Sequence, residues 1–164
     1  MIRIISQNLE NNLPYLSSME TNKLIRLDLQ KAFPGVKFNV RKDKFSDCSV
    51  TWKDGPTEQE VNEITNKYQN KKYDAKNEQY NYFSTKISVN GQYQSGIGSI
   101  RLGRFFSEEK KEIIWKQLCA DRGKEFSEIK FGSSEFLYHN PKNEKYSFQV
   151  IFNKLAKEIS FVNL

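Results

Sequence analysis

His139 is the one histidine in the sequence, and with Cys48 and Cys119, its only cysteines, it bounds the nucleophilic chemistry open to the chain. A Ser-His-Asp or Cys-His arrangement has to run through His139, because imidazole is the side chain that exchanges protons near neutral pH. It stands beside Asn140-Pro141, a turn signal, with no partner at a recognisable spacing, and so reads as structural or idle. Cys48 alternates with Val50 and Trp52 on the apolar side of a strand pattern, where a thiol stays protonated and unreactive. One His and two distant Cys give no closed tetrahedral metal set. Asp43, Asp47 and Asp54 sit close in sequence, but the first two are interleaved with Lys42 and Lys44 and read as solvated, while Asp54 belongs to a turn. The glycines of SGIGSIRLG, Gly96, Gly98 and Gly103, lack the following Gly-Lys-Ser/Thr of a phosphate loop and read as strand bends. The expectation is a protein that is not an enzyme and needs no cofactor.

What the residues do supply is positive charge. Lys and Arg number 26 against 20 Asp and Glu, a net charge of +6 and a pI near 9.2. Such a field steers a protein toward nucleic acid, a nucleoprotein or an acidic protein face, and it serves equally for solubility alone. Four segments place part of that charge on one surface. In VKFNVRK and CSVTWK, and again in STKISVNG and GIGSIRLG, apolar and polar residues alternate with the period of a half-buried strand. If helices cover Val36, Phe38, Val40, Cys48, Val50, Trp52, Ile87, Val89, Ile100 and Leu102, the opposite face carries Lys37, Asn39, Arg41, Ser49, Thr51, Lys53, Lys86, Ser88 and Arg101. That face could lie along a phosphate backbone or against an acidic or RNA-carrying protein surface, and a solvated sheet face is the alternative. The lack of aromatic residues on it argues against stacking on unpaired bases. The next candidate surface is the Lys-, Asn- and Tyr-rich stretch 69–82, read as a long exposed loop, with Lys71, Lys72 and Tyr73.

The elements that must hold these residues are legible in outline. Residues 1–19 suggest a short strand or arm. From Thr21 or Asn22 as cap, Leu24, Ile25, Asp28, Leu29, Ala32 and Phe33 recur at helical spacing up to Pro34-Gly35. The first two alternating segments are expected to pair as an antiparallel hairpin. In the stretch Lys53-Asp54-Gly55-Pro56-Thr57, glycine and proline make a tight turn. Thr57 with Glu60 forms a capping box that opens a helix burying Val61, Ile64 and Tyr68. Asn90-Gly91 signals a reversal between the third and fourth alternating segments. Ser107 caps a helix that ends at Arg122-Gly123 and buries Ile114, Trp115 and Leu118. Beyond it, residues 136–152 read as a hairpin turning at Asn140-Pro141, and the last residues as a short helix or strand. The fold class expected is α+β: an antiparallel sheet with two helices on one face, extended by the third helix and a C-terminal β-hairpin. Its parts are an arm (1–19), a domain (20–105) and an extension (106–164) packed on the same unit. No run of eighteen apolar residues and no signal-peptide core occurs, so no membrane is expected, and the cysteine usage fits a reducing cytoplasm.

Two blocks go further. Phe33-Pro34-Gly35-Val36-Lys37-Phe38, with Val40 and Arg41, is followed by Trp52, Asp54-Gly55-Pro56-Thr57, Glu60 and Val61. Together they resemble the large polyvalent protein associated domain family, small α+β domains of temperate phages and conjugative elements, over about residues 20–105. Lys53 stands where the family pattern often has Thr. The resemblance implies no catalytic residues. It implies an accessory protein of a mobile element, working in the cytoplasm of a bacterial host and protecting that element from host defence. On that footing the leading expectation is a non-enzymatic inhibitor of anti-CRISPR type, which binds a host effector protein or ribonucleoprotein and blocks its hold on nucleic acid. The partner-binding residues expected are Lys37, Arg41, Lys53, Lys86 and Arg101, with Lys71, Lys72 and Tyr73. The alternative is a nucleic-acid-binding accessory protein of the element itself.

Overall fold

Ser17, rather than Thr21 or Asn22, caps the first helix. In the computed structural model, which describes residues 4–7, 13–45, 47–82, 85, 87, 88, 92–142 and 144–162, the Ser17 hydroxyl accepts from the Glu20 amide at 3.1 Å and α1 runs Ser18–Ala32. The helix therefore starts earlier than expected, at a Ser-x-x-Glu signal. Thr21 and Asn22 are buried within it instead. The Thr21 hydroxyl donates to the Ser17 carbonyl at 3.0 Å and accepts from the Gly96 amide at 3.3 Å, so it ties the helix to a distant segment. Gly96 is needed there, because a Cβ would stand 2.2 Å from the Leu16 carbonyl oxygen.

The chain divides into two compact units, Met1–Phe105 and Phe106–Leu164. In the first, β1 (Ile4–Gln7) pairs with β2 (Pro14–Leu16) ahead of α1. β3 (Phe38–Lys42) and β4 (Cys48–Lys53) form the antiparallel hairpin that the alternation predicts, Val40 opposite Val50 and Phe38 opposite Trp52. α2 (Glu58–Thr65) follows, then a 3-10 turn that buries Tyr68. The stretch 69–82, expected as a loop, is a second antiparallel hairpin: β5 (Lys71–Asp74) and β6 (Gln79–Tyr82) around a four-residue turn. Its short alternating halves are too polar to announce a buried strand face, because they have none.

The sheet order corrects a second expectation. β7 (Ile87–Ser88) pairs with β8 (Gln92–Tyr93) across the Asn90-Gly91 signal, which lies outside the described residues together with Lys86 and Val89. The strand expected to return to β7 is β9 (Ile100–Phe105), which instead pairs in parallel with β4, giving a mixed sheet ordered β3-β4-β9. A parallel pair needs a crossover of a dozen or more residues, and the long connection through α2 supplies it. α1 packs on β3 and α2, and α2 packs on β9, over a core of Ile25, Leu29, Val40, Cys48, Val50, Trp52 and Val61. The class is α+β.

The turn after β4 forms as its residues dictate. Gly55 has φ +65 and Asp54 φ +56, in the left-handed region that favours glycine. Arg104 braces this turn from β9, donating to the carbonyls of Asp54 and Gly55 at 3.3 and 2.7 Å. The Thr57–Glu60 capping box is reciprocal: the Thr57 hydroxyl accepts from the Glu60 amide at 3.2 Å, and the Thr57 amide donates to the Glu60 carboxylate at 2.7 Å. Thr57→Ala is expected to cost about 1 kcal/mol. Gly55→Val should cost more, since its Cβ would press the Val36 methyls at 3.0 Å on a strained backbone. Denaturant midpoints check both, and unchanged midpoints would contradict the strand-turn-helix account.

The second unit is helical: α3 (Glu108–Arg122), α4 (Lys124–Ser127), α5 (Ser134–Tyr138) and α6 (Phe148–Glu158). α3 has the bounds its caps predict, from Ser107 to Gly123. The expected C-terminal β-hairpin over 136–152 is absent, replaced by α5 and α6. Tyr146, Phe148, Val150 and Phe152 alternate, but Phe148, Ile151, Phe152, Leu155 and Ala156 also recur at helical spacing. The helical set wins because Ser147 caps it and because Ile151 and Ala156 complete a buried stripe while Val150 faces outward. Phe126, Phe131, Phe136, Phe148 and Phe152 pack around Trp115 and with one another, ring centres 4.7–6.0 Å apart.

Candidate functional site

Strand pleating turns every second residue of the three-stranded sheet away from the core. Across the sheet, Arg41 lies opposite Ser49, which lies beside Arg101; the next rows are Asn39, Thr51, Gly103 and then Lys53 beside Phe105. These residues form the outer face, and Lys37 immediately precedes it at the Lys53 end. Lys37, Arg41, Lys53 and Arg101 are all exposed. The Arg41 guanidinium is steadied by Asn39, donating through Nε to its Oδ1 at 2.8 Å, and Asn39 in turn donates to the Thr51 hydroxyl at 3.3 Å. Arg101, 78% exposed, makes an ion pair with Asp43 at 3.1 Å. Among the described residues, Lys37, Arg41 and Lys53 have no ion pair, so the face presents charge to whatever approaches it.

At the Arg101 end the face meets the β5–β6 hairpin. Asp43, Asp47, Ser99 and Arg101 from the sheet side and Lys71, Lys72, Tyr73 and Tyr80 from the hairpin line a cleft of about 320 Å³. The hairpin is fastened by a Lys71–Asp47 ion pair at 2.8 Å and by the amides of Asn70 and Lys71, which donate to the Gly98 carbonyl at 3.0 Å. Burial works against the Asp47 charge, but hydrogen bonds from Lys71 and Ser99 outweigh it and hold this carboxyl below the usual aspartate range. The hydrogen bond to Asp47 raises Lys71, with burial opposing. A carboxyl lowered on folding stabilises above its unfolded pKa of about 4 and loses that contribution as pH falls through the folded value. A lysine raised on folding stabilises below about pH 10. The hairpin's attachment is therefore expected to hold from about pH 5 to 10 and to loosen below pH 4, which amide exchange of residues 70–82 reads directly.

The structure thus brings Arg41 and Arg101 together across Ser49, joins Arg101 to Lys71, Lys72 and Tyr73 around one cleft, and sets Lys37 and Lys53 at the far end of the same face. Lys86 lies outside the described residues. Three side chains were not singled out from the sequence: Phe105, 61% exposed on the outer face, and Tyr80 and Tyr82 on the hairpin. The signal for Phe105 was present, since the alternation Arg101, Gly103, Phe105 runs on past Leu102. Its presence overturns the expectation of a face without aromatics.

The nucleophile candidates are placed elsewhere. Burial pushes the Cys48 thiol up to about 11, so it stays protonated at neutral pH. His139 is an exposed residue following α5, and its described contacts are those of its backbone, with Glu135 at 3.0 Å and Phe148 at 3.2 Å. Cys48 belongs to the first unit and His139 to the second. His139→Ala is expected to leave binding unchanged and stability within about 0.5 kcal/mol, and loss of function with the fold retained would revive a catalytic reading. Among the described residues no helix is long and apolar enough to cross a membrane.

Neither a curated protein nor a solved structure matches the chain. A family model does, that of large polyvalent protein associated domain 29, over residues 16–107. The match contains both motif blocks, Phe33–Arg41 and Trp52–Val61, and every described residue of the outer face. It spans more than half of the 164 residues, so the chain belongs to the large polyvalent protein associated domain 29 family and is a phage or mobile-element associated protein.

Proposed function

We propose that this chain is a non-enzymatic nucleic-acid-binding accessory protein of a phage or other mobile element. The observation that carries the reading is the exposed row Arg41–Ser49–Arg101, with Lys37 and Lys53 on the same face. Cations fixed on a sheet, with their apolar neighbours committed to the core, can replace the counterions of a phosphate backbone without any rearrangement of the fold. Phe105 adds an aromatic surface that an acidic protein partner would not require.

A second reading is supported by the family context: an anti-CRISPR type inhibitor of a host effector complex. The net charge of +6 weighs against its simplest form, because a groove built to hold nucleic acid is itself positive and would repel this face. The inhibitor would instead engage an acidic protein surface of the effector beside that groove. Gel retardation separates the two. The accessory protein retards plain nucleic acid at physiological salt. The inhibitor of a defence complex leaves plain nucleic acid unshifted, yet stops the purified effector from holding its target.

A further inference from the structure

We propose that the tyrosine face of the β5–β6 hairpin, together with the cleft beside it, is a stacking site for unpaired nucleobases, so that the ligand is single-stranded nucleic acid. This rests on the nucleic-acid reading above and narrows it to one strand state.

The register pairs Lys71 with Tyr82, Lys72 with Asn81, Tyr73 with Tyr80 and Asp74 with Gln79. Alternation then puts Lys71, Tyr73, Tyr80 and Tyr82 on one face of the ribbon and Lys72, Asp74, Gln79 and Asn81 on the other. The three rings are not core residues: Tyr73, Tyr80 and Tyr82 are 52, 51 and 75% exposed. A two-stranded ribbon wet on both faces is marginal alone, and this one is fastened at its base by the Lys71–Asp47 ion pair and the Gly98 carbonyl, with the Lys71 ammonium also 5.0 Å from the centre of the Tyr80 ring. Beyond the Tyr73–Tyr80 contact and the Lys71 ammonium on Tyr80, the remaining ring surface is exposed and belongs to no core.

The surroundings choose the occupant. Tyr73 and Tyr80, ring centres 5.3 Å apart, line the cleft with Lys71, Lys72 and Arg101. The two carboxylates there are already engaged, Asp47 by Lys71 and Asp43 by Arg101. The described contact engages one end of the Arg101 guanidinium, which leaves donors for a phosphate, and Arg41 continues the charge across Ser49. Rings flanked by cations match a strand whose bases are free to stack and whose phosphates run alongside. In a duplex the bases are stacked on one another, so the rings gain nothing from it, and a ribbon entering the major groove would bring the Asp74 charge with its polar face.

The test is fluorescence anisotropy of the full chain with a labelled oligothymidylate and with a duplex of equal length, for the wild type, for Tyr73→Ala/Tyr80→Ala and for Tyr73→Phe/Tyr80→Phe. The wild type is expected to prefer the single strand by about tenfold or more. The alanine pair should lose about tenfold or more on the single strand alone, while the phenylalanine pair, which keeps the rings, retains wild-type affinity. Equal binding of both ligands, or an alanine pair that binds the single strand as the wild type does, overturns the stacking site and leaves the broader reading standing. Binding of neither ligand overturns the broader reading and this one with it. If the alanine pair melts early, the wild-type preference and the phenylalanine pair still decide.

Discussion

Trp52→Ala is expected to lower the unfolding free energy of the first unit by roughly 3–5 kcal/mol, the cost of emptying a large aromatic site that cannot fully collapse. Trp52 is 3% exposed, packs on Phe38 with ring centres 5.7 Å apart, and donates through Nε1 to the Pro56 carbonyl at 2.9 Å. Removing the indole also orphans that buried acceptor, which adds about 1–3 kcal/mol if water does not reach it. Small domains have only about 5–15 kcal/mol in hand, so this variant should sit near its unfolding threshold. Trp52→Phe keeps a ring but not the donor, and is expected to fall between the two. Urea midpoints from far-UV dichroism check both, and Trp115 remains as a fluorescence reporter of the second unit. An unchanged midpoint for Trp52→Ala would contradict the sequence-to-fold argument at its strongest residue.

That residue also shows what made parts of the fold legible. Around Trp52 every local rule agrees: alternation on β4, a turn with Gly55, a Thr57–Glu60 box and an apolar stripe on α2. Where two rules compete, the sequence is ambiguous. Residues 146–152 satisfy both periods, and the Ser147 cap with the buried Ile151 and Ala156 decides for a helix. The parallel pairing of β9 with β4 is a tertiary fact, because Ile100–Phe105 carries the same alternation whichever strand it joins. The hairpin 71–82 was hidden for the opposite reason, having no buried face for a hydrophobic pattern to mark.

Reversing charge on the outer face should have the largest effect on function. Lys37→Glu with Arg41→Glu replaces two exposed cations that have no ion pair among the described residues, so melting should barely move. Each phosphate contact contributes roughly 0.7–0.9 to the slope of log affinity against log salt. The double variant should therefore flatten that slope by about 1.5, with a ten- to hundredfold loss of affinity near 0.1 M salt. A titration series from low to physiological salt reads both quantities. If the variant folds and binds nucleic acid with the wild-type slope, the face is a solvated surface and the hairpin becomes the site.

The candidate residues were partly legible because strand alternation fixes which side chains share a face, and Lys37, Arg41, Lys53 and Arg101 follow from it directly. Their grouping was not legible. Arg41 meets Arg101 only because β4 lies between β3 and β9, and Arg101 meets Lys71 and Tyr73 only because the hairpin is pinned to Asp47. Phe105 and Tyr80, the side chains that change the expected ligand, lie two residues past Gly103 on β9 and on a hairpin exposed on both faces.

Amide chemical-shift mapping of the isotope-labelled chain, titrated with a short single-stranded oligonucleotide at physiological salt, shows whether the outer face is a nucleic-acid contact surface. Saturable shifts are expected at Asn39, Arg41, Ser49, Thr51 and Arg101 and along the 71–82 hairpin, with the helices of residues 108–158 undisturbed. Shifts confined to that helical unit, or no shifts at saturating oligonucleotide, would contradict a contact surface on the outer face.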